Sequence, residues 1–450
     1  MLIAQVAKLV DALCSGRSVG NHVLVRIQSW AQSPEYSLGV LYFCSLMNET
    51  QTQKRGLLIL ILGLLTAIGP LSIDMYLPGF SNIAADLNTS IEKVGYSLSS
   101  FFIGICVGQL LTGPLLDRFG RKRPLYVGLF IYILASIGCG LSDSVEMLIL
   151  FRFIQAMGGC VGMVAPSAVV RDLFPVEQSA RVFSMLILIL GVSPILAPTF
   201  GGYMVSAWGW KPIFFVLAII TAIILAIVFF FLPESRKPDP TYSLKPKAIL
   251  GNFGEVLKEK QFTTYAISGN FVSAALFAYL AGSPFVFMEL HGVHQQTYGW
   301  IFALIAAGLI TSSQINNLLL KKYKSDRILR TVITIQASLG IIMWIGSATH
   351  LFNLYGLIAI MMLFLSCQGF IFPNAAAMAM APFTKHAGSA AALMGAFQMA
   401  MGAIASALVG VFFNETIMPM VTVMLIFCLT GFTLLIIGQN RLKKLNLGKA

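Results

Sequence analysis

Charged side chains are scarce in this sequence. Lys, Arg, Asp and Glu make up 11% of the 450 residues, whereas hydrophobic residues make up 57%. A soluble domain carries about 25% charged residues, which it needs to cover its surface. The composition therefore excludes a soluble enzyme, a nucleic-acid-binding module and a disordered chain. Most of the surface is expected to face lipid.

Signals for metals, disulfides and nucleotides are missing as well. The seven cysteines show neither zinc spacing nor a paired pattern, and most lie in apolar runs where a thiol acts as a small hydrophobe. His291 and His294 have no third ligand nearby, so we interpret them as part of a solvated loop. No Walker motif is present, so nucleotide does not drive the protein directly. We expect no cofactor, no metal and no enzymatic activity.

Long apolar runs are what the sequence does contain. Twelve runs are long enough to cross about 30 Å of hydrocarbon as helices. They cover roughly 57–79, 94–116, 124–142, 146–169, 182–206, 211–232, 262–288, 298–320, 328–348, 352–377, 388–412 and 416–438. The sequence thus predicts an all-α integral membrane protein with twelve transmembrane helices.

A polar stretch rich in Pro and Lys, residues 233–261, divides these helices into two sets of six. We expect an N-terminal half at 47–232, a cytoplasmic linker at 233–261, a C-terminal half at 262–440 and a cytoplasmic tail at 441–450. Six plus six helices around a central loop are typical of a duplicated transporter, and predict two pseudo-symmetric halves.

The positions of Lys and Arg predict the orientation. From Met47 onwards, 24 of these residues fall in segments that share one side of the membrane, and two, Lys93 and Lys211, fall on the other. Positive residues concentrate on the cytoplasmic side of membrane proteins. Both termini are therefore expected in the cytoplasm.

Residues 1–46 differ in composition from the rest and contain no spanning run. They resemble the translation of a transfer-RNA gene, which indicates that the native chain starts at Met47. The alternative is a genuine but poorly ordered cytoplasmic leader.

Two charges lie well inside predicted spans, Asp74 in the first and Arg152 in the fourth. Burying either costs at least about 2.5–3.5 kcal/mol, so each is expected to have a partner or a task. Both fall at similar depth in the outer half of the membrane, which favours a partnership. Either Asp74 carries a proton with Arg152 supporting it electrostatically, or the two form a static ion pair between helices 1 and 4.

Polar and aromatic residues within the spans are candidates for a substrate cavity, because amides facing lipid are costly. For each one alone, a bridge between helices is the commoner role. The candidates are Tyr76, Gln155, Asn270, Tyr279, Gln368 and Asn374.

The loop between the second and third runs carries the most specific motif. It reads Gly113-Pro-Leu-Leu-Asp117-Arg118-Phe-Gly120-Arg121-Lys122-Arg123. Asp117 ends a helix whose own dipole repels a negative charge, so it needs an outside partner. Gly120 permits a tight turn and Gly113 a close helix approach. Residues 317–324 form a decayed copy, with Lys321 in place of the Asp, which supports duplication.

This loop resembles the signature of the major facilitator superfamily. The resemblance implies that the motif residues, including Arg118, Arg121 and Arg123, form an inner gate in which the N-terminus of helix 11 and loop arginines are the partners of Asp117. Arg152, Gln155 and the glycines that follow are similar to a family motif linked to proton coupling. Helix 5 resembles the antiporter motif of drug exporters, with Ala197 where that motif has Gly; the matching residues are Gly191, Pro194, Pro198, Gly201 and Gly202.

Two further stretches, Gly69–Pro78 and Phe372–Ala377, resemble the Bcr/CflA branch, named for bicyclomycin resistance, as do Tyr279 and the Ser283-Pro284 pair. The branch implies that Asp74 lies on the proton and drug pathway, and that the protein resides in the bacterial cytoplasmic membrane. The leading hypothesis is proton-coupled efflux of small apolar drugs by a monomer embedded in lipid, without nucleic acid. The alternatives are a metabolite transporter of the same fold and a non-transporting membrane sensor or assembly partner.

Overall fold

The computed structural model describes residues 56–174, 176–239, 246–383 and 387–447. The expected leader, 1–46, and the expected start at Met47 lie outside the described residues. Residues from Leu62 onwards form one compact unit.

Twelve helices in the described ranges are long and apolar enough to cross a membrane, and no strand occurs in these ranges. They are α1 (Gly56–Asp86), α2 (Ile91–Phe119), α3 (Lys122–Gly140), α4 (Val145–Leu173), α5 (Val176–Trp208), α6 (Lys211–Phe231), α7 (Lys260–Leu290), α8 (Gln295–Leu319), α9 (Ser325–Ala348), α10 (Leu354–Met380), α11 (Ala387–Val411) and α12 (Met418–Leu447). The predicted count of twelve is confirmed. Most predicted ends agree within a few residues, but α1 continues seven residues past the expected end at 79.

α1 is interrupted where its charge lies. The regular helix ends at Asp74, a 3-10 turn covers Leu77–Gly79, and a short helix follows at Phe80–Asp86. Pro78 has no N–H with which to bond the Asp74 carbonyl, so the α-helical ladder cannot continue across this position. The break leaves carbonyls of the last turn without intrahelical donors.

Two helices of the second half are irregular as well. In α7, Pro284 is followed by a π-helical segment, Phe285–Leu290. In α10, the helix is interrupted at Cys367 between Leu354–Ser366 and Gln368–Met380. Such breaks in membrane helices require that neighbouring helices satisfy the freed backbone groups.

The helices form a first half, α1–α6, and a second half, α7–α12. Within the first half α4 packs against α2 and α3; within the second, α7 packs against α10, α11 and α12. The two halves contact each other mainly through α2 with α11 and through α5 with α8.

We call the side where α2 ends and α3 begins the basic face, because the Lys- and Arg-rich loops lie there. A linker helix, Pro246–Lys258, packs there against α7 and α11 and buries Phe253 and Val256.

Candidate functional site

Asp74 lies at the helix break in α1, and its residue is only 5% exposed. No described residue donates a hydrogen bond to its carboxylate or forms an ion pair with it, and neither oxygen is fully enclosed. Tyr279 of α7 and Tyr298 of α8 lie within electrostatic range of the carboxylate. Asp74 therefore sits between the two halves rather than inside one of them.

The two tyrosines differ in how their hydroxyl groups are satisfied. Tyr298 shares a hydrogen bond of 2.9 Å with the Ser283 hydroxyl. The Tyr279 hydroxyl is enclosed and makes no hydrogen bond with any described residue. A buried hydroxyl without a partner is costly, and this one belongs to a residue within electrostatic range of Asp74.

Arg152 is fully buried within the first half. Its guanidinium donates to the Gln155 Oε1 at 2.6 Å and to the Ser72 backbone carbonyl at 3.0 Å. Gln155 in turn donates to the Ser136 hydroxyl at 2.7 Å. The Ser72 carbonyl is one of the acceptors released by the break in α1, so Arg152 fastens α4 to the end of the first α1 segment.

Aromatic rings enclose the same guanidinium. Its central carbon lies 4.0 Å from the centroid of Phe101, 4.2 Å from that of Tyr76 and 5.8 Å from that of Phe214. Cations over ring faces gain about 2 kcal/mol or more when they are desolvated. The rings and two hydrogen-bond acceptors thus hold the charge of Arg152 without a carboxylate.

The static ion pair between Asp74 and Arg152, one of the two expected arrangements, is not formed in this structure, because no ion pair among the described residues joins them. A supporting electrostatic role of Arg152 stays a prediction. Equal depth fixes the height of two residues in the membrane but not the direction in which each points. Arg152 points into the first half, whereas Asp74 faces the interface between halves.

The six cavity candidates lie inside helix contacts, each 5% exposed or less. Tyr76 and Gln155 belong to the surroundings of Arg152. In the second half, the Asn270 amide donates to the Met394 carbonyl at 3.0 Å and the Gln368 amide to the Val272 carbonyl at 2.9 Å. The Asn374 amide donates to Asn316 Oδ1 at 2.7 Å. These polar groups bridge helices in the described conformation, and a role in binding cargo stays a prediction.

The loop motif forms a dense ionic cluster at the basic face. Arg121 binds Asp172 at the end of α4 through its Nε at 2.8 Å, and Asp117 through a terminal nitrogen at 3.1 Å. Burial lowers the pKa of Arg121, but the two carboxylates more than offset this, so the pKa lies above its ordinary value. Arg236, beyond α6, also reaches Asp117 at 3.2 Å.

Glu234 completes this cluster by capping α3. Its carboxylate accepts hydrogen bonds from the backbone N–H groups of Arg121, at 2.7 Å, and Lys122, at 3.2 Å. A carboxylate at a helix N-terminus is favoured by unsatisfied donors and by the helix dipole. The segment after α6 therefore holds the α2–α3 loop in place at the basic face.

The motif glycines have different roles. Gly120 has φ +82°, a backbone conformation that favours glycine, which agrees with the predicted tight turn. Gly113 does not mediate the expected close approach, since a Cβ there would meet no atom within 4 Å. Of the other motif residues, Arg123 is exposed on the first turn of α3, and Arg118 lies 5.9 Å from the Phe119 ring centroid.

A cavity of about 650 Å³ opens at the basic face beside this cluster. Asp117 and Arg171 line it from the first half, Gly388 and Ser389 from the start of α11, and Phe253 from the linker helix. Among described residues, the partners of Asp117 are Arg121 and Arg236 rather than α11. The expected contact between Asp117 and α11 is therefore replaced here by open space that both line.

The glycines of α5 bring helices into backbone contact. Gly202 abuts the Gln295 carbonyl of α8, which would lie 2.5 Å from an added Cβ. Gly201 abuts the backbone of Met75, next to Asp74. Gly191 is less crowded, with Ile310 of α8 at 3.5 Å from an added Cβ. Pro194 and Pro198 lie within the helix.

Sequence reasoning missed several residues that complete these arrangements, namely Ser72, Asp172, Glu234, Arg236 and Tyr298. It also missed Gly299 of α8, which abuts the backbone of Thr199 in α5. For Asp172 and Glu234 the sequence held one indication of a role, because each of these acids comes just after a predicted span, at the basic face. Ser72 contributes its backbone carbonyl, which no side-chain pattern reveals.

Comparisons with known proteins agree with this architecture. The model of the Major Facilitator Superfamily matches residues 62–407. The Bicyclomycin resistance protein homolog of Haemophilus influenzae is 33% identical over 375 residues, which cover 83% of this chain and 94% of that protein. The uncharacterized MFS-type transporter YdgK of Bacillus subtilis is 31% identical, with 86% and 96% covered. The Multidrug resistance protein MdtL of Escherichia coli is 30% identical, with 74% and 83% covered.

Among solved structures, the D-xylose-proton symporter superposes with a TM-score of 0.66 at 15% identity, covering 84% of this chain and 97% of that one. A bacterial homologue of the lysosomal transporter Spinster, in an inward-facing and occupied conformation, has a TM-score of 0.65 at 15% identity, with 85% and 95% covered. These likenesses concern the fold. The family match and the relatives of 30% identity or more establish that the chain belongs to the major facilitator superfamily.

Proposed function

We propose that this protein exports small apolar drugs across the bacterial cytoplasmic membrane in exchange for protons, by alternating access. The observation that carries the proposal is the placement of Asp74. Its carboxylate lies between the halves, at a helix break, without a charged partner among the described residues. An acid in this position is free to exchange a proton, whereas one held by Arg152 would not be.

The proposed cycle uses the cost of burying charge. An unpaired carboxylate is expensive away from water, so closing the interface around Asp74 favours its protonated form. When the site opens to the cytoplasm, water reaches Asp74 and the proton leaves as cargo binds. When the site opens outwards, cargo leaves and a proton returns. Each proton that enters contributes about 2.3 kcal/mol per 100 mV of membrane potential.

The choice of drug cargo is supported by the relatives named for bicyclomycin and multidrug resistance. It also agrees with the residues that line the interface. Asp74 supplies a buried charge between the halves, and two aromatic residues of the second half, Tyr279 and Tyr298, lie within electrostatic range of it. Such a site suits apolar molecules that are neutral or cationic and disfavours anions.

The proposed orientation in the membrane rests on the distribution of Lys and Arg, and the proposed moving units rest on the order of the helices in the chain. The basic face is proposed to be cytoplasmic, by the positive-inside rule, which places both termini in the cytoplasm. The halves 47–232 and 262–440 would then rock as units of a monomer, joined by the linker 233–261.

Drug flux into proteoliposomes under an imposed proton gradient tests the proposal. We expect gradient-dependent flux of drugs from a panel of antibiotics with the unaltered protein. Asp74→Asn should abolish the dependence on the gradient, because the amide cannot carry a proton. Asp143→Asn is the matched control, since the Asp143 side chain is 90% exposed in the loop before α4, and its flux should be unchanged. Full gradient-driven flux in Asp74→Asn would refute the role of Asp74, and flux of sugars or amino acids instead of drugs would refute the cargo class.

A further inference from the structure

A groove of about 490 Å³ lies between α7 and α12 at the basic face, away from Asp74 and the ionic cluster. Its lining includes three cations, Lys260, Arg441 and Lys444, two hydroxyls, Thr263 and Thr264, and branched apolar side chains such as Ile267 and Ile437. No carboxylate lines it.

The cations lie at the level of the membrane interface. Lys260 is the first residue of the α7 span, and Arg441 is the penultimate residue of the apolar part of α12, which ends at Leu442. Ile437 lies one turn deeper than Arg441, about 6 Å, and Ile267 about 10 Å deeper than Lys260. The groove thus has a cationic rim at headgroup level and an apolar floor in the hydrocarbon.

The floor is open to the bilayer. Ile437 is 45% exposed although it lies within a span, so its side chain meets lipid. At Gly438 the two helices come together, because an added Cβ there would overlap the Thr264 side chain. The groove is therefore a cleft flanked by two helices that touch at Gly438 and Thr264, rather than a flat helix surface.

The three cations of the rim are not held in ion pairs within the described part of the chain. Lys260, Arg441 and Lys444 form no ion pair with any described residue. The neighbouring acids Glu259 and Asp326 accept hydrogen bonds from neutral donors, namely the Gln261 N–H for Glu259, and Tyr265 and Gln439 for Asp326, and neither is in an ion pair with a rim cation. Three cations around one cleft that no carboxylate lines attract an anion.

We propose that this groove binds an anionic phospholipid, with its headgroup phosphate on Lys260, Arg441 and Lys444 and an acyl chain along Ile267 and Ile437. Basic pockets between transmembrane helices on the cytoplasmic side suit such headgroups. The apolar floor, which a free phosphate ion would leave unused, distinguishes the lipid from a soluble phosphate. The bound lipid links α12 to α7, the helix that carries Tyr279.

Native mass spectrometry of the full-length protein in detergent, titrated with phosphatidylglycerol, tests the proposal. We expect discrete phosphatidylglycerol adducts and a much weaker signal with phosphatidylcholine. A surface cation contributes about fivefold to the affinity for an anionic lipid, so Lys260→Gln/Arg441→Gln/Lys444→Gln should weaken binding by about a hundredfold. Should that triple variant misfold, Arg441→Gln alone should weaken binding about fivefold.

Lys321→Gln/Lys322→Gln/Lys324→Gln is the matched control, because it removes the same charge from the same face and half, at exposed positions outside the groove. Its phosphatidylglycerol affinity should stay within a factor of about two of the unaltered protein, as long-range charge is screened beyond about 10 Å. Equal losses in the two triple variants would overturn the proposal in favour of diffuse attraction. Equal binding of phosphatidylcholine would overturn the proposal as well. Displacement of the lipid by glycerol phosphate at matched concentration would overturn it in favour of a soluble phosphate ester.

Discussion

Arg152 shows how a single side chain can be charged inside a membrane protein without an acidic partner. Two carbonyl oxygens accept from its terminal nitrogens, and the rings of Tyr76 and Phe101 cover its faces, while its Nε has no partner among the described residues. The planar shape of the guanidinium makes this possible, since a Lys ammonium cannot stack between rings and reach two acceptors in one plane.

Arg152→Lys should therefore destabilise the protein although it keeps the charge. At least one charged hydrogen bond is lost, which costs about 1.5–3 kcal/mol, together with the ring contacts. Thermal unfolding in detergent measures the effect, and Arg330→Lys, at an exposed position, serves as the control. An unchanged melting temperature for Arg152→Lys would show that the planar, branched shape of the guanidinium does not contribute to stability.

At the scale of single residues, the sequence indicated that Asp74, Arg152 and Gln155 have a special role, because ionisable and amide groups are rare in apolar runs. It could not give their partners. The carbonyl of Ser72 is available to Arg152 because the regular helix of α1 ends at Asp74, and a backbone acceptor leaves no mark in the pattern of side chains. The side of α1 on which Asp74 lies depends on how the helices pack. Helical periodicity does not predict that side, because the surrounding run is almost uniformly apolar.

At the scale of helices, α5 and α8 form a contact of backbone against backbone. A Cβ on Gly299 would lie 2.7 Å from the Thr199 Cα and 2.8 Å from the Pro198 carbonyl oxygen, and the Thr199 hydroxyl already donates to the Gly299 carbonyl at 3.3 Å. The sequence predicted the small residues of α5 from its motif. It did not predict their partner Gly299, because one glycine in an apolar run has no distinguishing neighbour.

Gly299→Ala is expected to force α5 and α8 apart, since backbone atoms cannot rotate away. Overpacking of this kind costs about 1–3 kcal/mol, and here it falls on a contact between the halves. Drug transport should drop together with the melting temperature. Gly95→Ala is the control, because a Cβ there meets nothing within 4 Å. Equal transport and equal melting temperatures in the two variants would show that the α5–α8 contact does not matter for transport.

At the scale of the whole molecule, the number of spanning helices and most of their ends followed from the length of apolar runs, which the thickness of a bilayer fixes. The way the halves meet did not follow, because it depends on which face of each helix turns inwards. α2 and α11 touch along their length, with the Ser99 hydroxyl donating to the Ser406 hydroxyl at 2.8 Å and Gly395 against Gln109. Ser99 and Ser406 lie towards the face opposite the basic one, near the start of α2 and the end of α11.

A disulfide between these positions tests whether the halves must separate there. In a background without the native cysteines, Ser99→Cys/Ser406→Cys should lose most drug transport on oxidation and recover it on reduction, because the cross-link holds the outer side closed. Each single variant controls for the substitutions. Undiminished transport by fully cross-linked protein would contradict a rocking cycle.

The central claim is that Asp74 gives up its proton when cargo binds. The most direct measurement is the pH change of a weakly buffered solution of purified protein on addition of a transported drug. The unaltered protein should release protons in proportion to the drug bound, and Asp74→Asn should bind drug without releasing protons. Equal proton release by both proteins would contradict it.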